Sequence, residues 1–241
     1  MCQNCNSTML GRRDMLRMAA GAGLAGIGLA AGLHTAHAAS GAATTLTSEE
    51  ALGALKVGNR YFVTEPELCT RKLDERREEV AGHQAPWASI LSCADSRVPP
   101  ELIFGGLALG ELFVARNAGN LADKGVVGTL EYGVAVLGSP LIVVLAHTSC
   151  GAVAAACKVV SENATFPGLI GPMINPILPS ALAVRSDSGD FVTNTAKESA
   201  RRTAKGLASL STILSEAVNA GRVKIVSGIY DLASGEVTYL D

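Results

Sequence analysis

Residues 140–151, PLIVVLAHTSCG, constrain this chain more than any other stretch. The apolar run 141–146 reads as a strand buried on both faces, and it stops abruptly at His147, Thr148, Ser149 and Cys150. An alanine-rich segment with helical character follows, over 150–160. Strand, polar tip, helix is the repeating unit of a parallel α/β sheet, and the carboxyl tips of such strands are where open α/β sheets carry their chemistry. The same order occurs earlier in the chain. An apolar run, 87–91, leads into Ser92-Cys93-Ala94-Asp95-Ser96-Arg97, and the pair Pro99-Pro100 then ends the strand, because prolines cannot donate to a central ladder.

The rest of the chain completes an α/β fold: a mostly parallel central sheet flanked by helices, with an antiparallel C-terminal edge strand. Thr47-Ser48-Glu49-Glu50 is a capping box opening a helix through Leu55, Asn59 and Phe62. Residues 67–79 mix charges of both signs and read as a solvated helix and loop. A short helix over 101–104 follows the proline pair, and 111–115 reads as a further strand closing at Arg116-Asn117-Ala118-Gly119-Asn120. The spacing of Val126, Val127, Leu130, Val134 and Leu137 gives a helix over 123–137 one buried face, with Tyr132 assigned to the core. Prolines and glycines punctuate 161–190, a loop with short turns or helices. One long helix is expected over 193–220, stopped by Gly221, then a strand over 223–230, a turn at 232–235 and the edge strand at 236–240.

The two strand tips together offer Cys93, His147 and Cys150. Two cysteines and a histidine make the three-ligand set of a catalytic zinc, which leaves a fourth position for water or substrate. Cys150 would stand at a helix N-terminus, where the dipole favours a thiolate. Asp95 has two roles open to it. It can be the fourth ligand and close the site, or it can pair with Arg97 and leave the metal open. Of the other cysteines, Cys157 lies two turns beyond Cys150 and reads as a small buried hydrophobe, while Cys69 sits in the charged segment. Cys2 and Cys5 form a C-x-x-C with no second half nearby.

C-x-D-x-R followed about fifty residues later by H-x-x-C resembles the β-class carbonic anhydrases. The likeness continues through Gln84-Ala85-Pro86, similar to the family's Q-x-P, and through ELFVARNAGN at 111–120, LEYGVAVL at 130–137 and IYDLASGEV at 229–237, in the family's order. The resemblance implies a β-carbonic-anhydrase-like fold. It implies reversible hydration of carbon dioxide to bicarbonate and a proton by a zinc-bound hydroxide, with Zn2+ on Cys93, His147 and Cys150. It further implies Asp95 and Arg97 as the catalytic dyad that switches the zinc between open and closed states. Gln84 resembles a residue that orients substrate, and Gly151 fits a close approach of backbone to substrate. Family members place their sites at dimer interfaces and send N-terminal helices to a neighbouring subunit, so a homodimer or dimer-based oligomer is expected. Arg116 is present, but Trp87 stands too far from Cys93 to complete the family's inhibitory bicarbonate site, which is not expected. Two other functions use the same residues: hydrolysis of carbon disulfide or carbonyl sulfide on the same zinc, and non-catalytic zinc binding. The presence of both Asp95 and Arg97 disfavours the latter.

Composition narrows partners and compartment. A net charge of -2 and 4% aromatic residues give no electrostatic or stacking basis for nucleic acid. Gly11-Arg12-Arg13-Asp14-Met15-Leu16-Arg17 resembles a twin-arginine export signal, followed by a Gly/Ala-rich run over 18–33 and Ala36-His37-Ala38 as an A-x-A cleavage site. Residues 1–38 are therefore expected to be a cleavable signal and 39–241 a single zinc-dependent domain. The expected location is the periplasm, with no membrane association after cleavage.

Overall fold

A computed structural model describes residues 43–65, 73–106 and 109–240, so the candidate signal, Cys2, Cys5 and Cys69 lie outside the described residues. The sheet has five strands: β1 (Ala88–Cys93), β2 (Leu112–Asn117), β3 (Leu141–His147), β4 (Lys224–Tyr230) and β5 (Val237–Tyr239). Their order is β2-β1-β3-β4-β5. The first four are parallel, and β5 runs antiparallel to β4. Every residue of β3 is buried, which is why its sequence is an unbroken apolar run. Its side chains alternate between two cores. Leu141, Val143 and Leu145 pack with Ile90 and Val226 on one face, and Ile142, Val144 and Ala146 pack with Leu91, Cys93 and Ile229 on the other.

Helices cover both faces: α1 (Ser48–Thr64), α2 (Leu73–Val80), α3 (Pro100–Ile103), α4 (Lys124–Ala135), α5 (Gly151–Glu162), α6 (Ile170–Ile174), α7 (Leu178–Ala183), α8 (Phe191–Leu210) and α9 (Thr212–Asn219), with a single 3-10 turn, Asn175–Ile177, between α6 and α7. The Thr47 box caps α1 as expected: the Glu50 amide donates to Thr47 Oγ1 (3.3 Å) and the Thr47 amide to Glu50 Oε2 (2.8 Å). One face of α1 docks on the sheet of its own chain. Ala51, Leu52 and Leu55 are buried in the Ile90 core. Asn59 is buried too and saturates its amide, donating to the carbonyls of Ile103 (3.0 Å) and Gly235 (2.9 Å) and accepting from the Val237 amide (2.8 Å).

The helix expected over 193–220 is two helices. Ser211 leaves helical geometry (φ -144, ψ 123) and caps α9, its Oγ accepting from the Leu214 amide (3.1 Å) while donating to Glu131 Oε1 (2.6 Å). A serine that satisfies an orphan amide of the next helix and a distant carboxylate outweighs helical propensity at one position. The end of α9 is as expected. Gly221 adopts φ +67, and the amides of Gly221 and Arg222 return to the carbonyls of Val218 and Ala217 (both 2.9 Å) in a Schellman motif. Tyr132 is also corrected: it is 37% exposed and stacks on Phe113 outside the core (ring centroids 6.0 Å apart).

Connectivity positions the site. From β1 the chain moves outward to β2, then returns past β1 to β3 on its other side. The carboxyl ends of β1 and β3 therefore flank the point where the winding reverses, the crevice in which open α/β sheets bind ligands. Cys93 ends β1 and His147 ends β3.

Candidate metal centre

The β3 tip brings two of the expected ligands together through an unusual backbone. Ser149 has φ +54, the left-handed region that few non-glycine residues adopt, and this tight turn sets Cys150 as the N-cap of α5 only three residues past His147. Cys93, on the adjacent strand, completes the group. Cys93 Sγ, Cys150 Sγ and a ring nitrogen of His147 all lie within 4.8 Å of one another, and all three residues are buried. His147 shows no solvent exposure at all.

The hydrogen bonding of His147 decides which nitrogen is available. Nδ1 lies 2.8 Å from the Thr148 carbonyl, which can only accept, so Nδ1 carries the proton. Nε2 is left as a buried lone pair without a hydrogen-bond partner. An orphaned buried nitrogen facing two thiols fits a metal ion: a histidine ligand commonly donates its other N–H to a backbone carbonyl, which fixes tautomer and ring orientation. The two sulfurs lie 3.9 Å apart, within hydrogen-bonding distance for a thiol. Donation from Cys150 holds the Cys93 thiol well below its ordinary range, and His147 and the Gly119 amide, which donates to Cys93 Sγ (3.4 Å), act in the same direction. The thiolate facing it, together with burial, pushes Cys150 up. A divalent cation between them reverses that preference and favours both thiolates.

Asp95 is held off this group. Arg97 donates from Nε to Oδ1 (2.9 Å), from Nη2 to Oδ2 (2.7 Å) and from its amide to Oδ1 (3.0 Å). The guanidinium keeps the carboxyl well below the usual carboxylate range. Oδ2 nevertheless stands 3.8 Å from His147 Nε2, so the carboxylate overlooks the three donor atoms without joining them.

The remaining expected residues are placed less centrally. Gly151 is the exposed first residue of α5; a Cβ there would meet nothing within 4 Å, so no protein packing requires glycine. Gln84 precedes the start of β1 and is half-buried, at the opposite end of that strand from Cys93. A six-residue strand at about 3.3 Å per residue puts it beyond reach of its own chain's donor atoms. Gly119 is at once a turn residue and a close backbone approach to the site. It has φ +85, and a Cβ would approach Ile177 Cδ1 to 3.0 Å, which keeps its amide free to face Cys93. Cys157 is buried as expected, with its sulfur 3.3 Å from Thr195 Oγ1, and burial raises its thiol. Sequence reasoning missed the grip of Arg116, which donates to the carbonyls of Cys93 (2.9 Å) and Asp95 (2.6 Å). Its only signal was a basic residue at the tip of the strand beside β1.

The family model described as carbonic anhydrase matches residues 88–237, which span both strand tips. Carbonic anhydrase 2 of Mycobacterium tuberculosis is 39% identical over 189 residues, covering 78% of this chain and 90% of that protein. The carbonic anhydrase of Mycolicibacterium smegmatis is 38% identical over 184 residues, covering 76% and 89%. Among solved structures, a β-carbonic anhydrase of Aspergillus fumigatus superposes with a TM-score of 0.62 at 26% identity, over 80% of this chain and 90% of the other. A tetrameric β-carbonic anhydrase of Sordaria macrospora shares the fold at a TM-score of 0.61 and 23% identity. By the family model, its sequence relatives and its fold, the chain belongs to the β-class carbonic anhydrases, a family of zinc-dependent lyases.

Proposed function

We propose that this chain catalyses the reversible hydration of carbon dioxide, combining carbon dioxide with water to give bicarbonate and a proton. Cys93 Sγ, His147 Nε2 and Cys150 Sγ would hold the zinc. The observation that carries this reading is the buried, unpartnered Nε2 of His147 beside two thiols, with Asp95 held clear of them by Arg97. Zinc, when bound, supplies the Lewis acid that lets water give up its proton near neutral pH. Asp95 orients rather than accepts protons. A carboxyl so far below its usual range stays ionised, and an ionised carboxylate aligns a water by accepting its hydrogen bond. The released proton is left to solvent, on the side where Arg97 is exposed. Gln84, at the far end of β1, could serve only the site of a second copy, consistent with a dimer-based oligomer.

Stopped-flow hydration of carbon dioxide by the purified chain, with zinc assayed on the same sample, tests this. About one zinc per chain is expected, with a rate that rises between about pH 6 and 9 because two thiolates leave the metal less electron-poor than neutral histidines would. Full zinc with no hydration at any pH would overturn the reading and direct attention to carbon disulfide and carbonyl sulfide.

We also propose export by the twin-arginine route to the periplasm, supported by Arg12-Arg13 and the Ala36-His37-Ala38 site. Mass spectrometry of the exported protein should find a chain beginning at Ala39, and a chain retained at full length in the cytoplasm would refute it.

A further inference from the structure

We propose that Arg116 is a positioning residue for this reaction: from the neighbouring strand it fixes where the loop carrying Asp95 stands relative to the Cys93 sulfur. The proposal rests on the metal-site reading of Cys93 and Asp95. The β1–β2 ladder ends at the pairing of Cys93 with Asn117, and one further backbone bond follows, from the Ala94 amide to the Asn117 carbonyl (2.9 Å). Beyond it the chain leaves the sheet while still having to present a carboxylate beside the donor atoms.

The Asp95–Arg97 pair cannot anchor that loop, because both residues belong to it. A pair two residues apart fixes the carboxylate relative to its own backbone, and the Arg97 side chain is more than half exposed; among the described residues its hydrogen bond outside the loop is a 3.5 Å contact to the Ser149 carbonyl. Arg116 supplies the external anchor. Its Cα is in register with Ser92, and its guanidinium reaches forward to two carbonyls at once, Nε to Cys93 and Nη2 to Asp95. The Asp95 carbonyl also accepts from the Val98 amide (3.0 Å), so both of its lone pairs are engaged. One rigid fork thus spans a zinc ligand and the carboxylate-bearing residue. A lysine, with a single point of attachment, cannot reproduce it.

The test compares Arg116→Met and Arg116→Lys in the full zinc-loaded chain, measuring zinc release to a chelator, kcat and KM. Loss of an outer partner of a metal ligand costs about tenfold to a hundredfold in metal affinity or activity. Arg116→Met is therefore expected to release zinc about tenfold faster and to lower kcat about tenfold, with KM within about twofold of wild type. Arg116→Lys should keep the charge yet recover only part of both effects. Wild-type release and kcat in Arg116→Met, or a lowered unfolding midpoint as its sole change, would overturn the positioning role. A wild-type chain that takes up no zinc would remove the metal-site reading itself, and the proposal with it.

Discussion

Cys150→Ser is expected to abolish stoichiometric zinc binding and carbon dioxide hydration while leaving the chain folded. Cys150 is 1% exposed and contributes one of three donor atoms clustered within 4.8 Å. Serine nearly matches cysteine in volume but offers a hydroxyl that stays protonated where a thiolate is needed. Removing a ligand outright should cost more than the roughly hundredfold that an outer partner can cost. The stability cost of the substitution itself should stay within about 1–3 kcal/mol, since it buries a hydroxyl without creating a large void. Cys157→Ser is the control. That thiol is equally buried on the same helix but faces Thr195, and its loss should leave zinc content at the wild-type level. Zinc analysis and stopped-flow rates on the two variants decide the matter: full zinc in Cys150→Ser would show that the ligand set is wrong.

Gly58→Ala is expected to destabilise the fold by about 3 kcal/mol or more, a large effect for the addition of one methyl group. A Cβ at Gly58 would stand 1.9 Å from the Phe104 carbonyl oxygen and 2.7 Å from its carbon, both backbone atoms. Neither side can yield cheaply. The next residue, Asn59, is pinned by three hydrogen bonds, and Gly105 meets Gly58 from the other side at φ +88, where its own Cβ would lie 2.7 Å from the Gly58 carbonyl oxygen. Gly53→Ala in the same helix is the counter-case. Its Cβ meets nothing within 4 Å, so alanine should stabilise α1 by about 0.5–1 kcal/mol. Urea unfolding of both variants measures the difference, and a loss under about 1 kcal/mol in Gly58→Ala would show that α1 and α3 do not cross this closely.

The local chemistry of this protein was determined by its sequence. An unbroken apolar run before His147 marks a strand buried on both faces, because period-2 geometry exposes neither set of side chains. Proline pairs, capping boxes and a glycine at a helix end act within one turn, so Thr47, Pro99-Pro100 and Gly221 are legible from neighbours alone. Ligand chemistry is equally local, since a cysteine or histidine carries its donor atom wherever it stands.

What only the tertiary structure decided is adjacency between residues far apart in the chain. The winding order, with β2 outside β1 and β3 inside, brings the tips holding Cys93 and His147 side by side. The same pairing puts Arg116 across from Ser92, within reach of two carbonyls, although its sequence neighbours give no sign of that task. The break at Ser211 depends on Glu131, 80 residues away, and no helical periodicity near Ser211 records it. In each case the deciding partner is set by which strands and helices pack together, a choice made by the burial of whole faces and not by the spacing of residues along the chain.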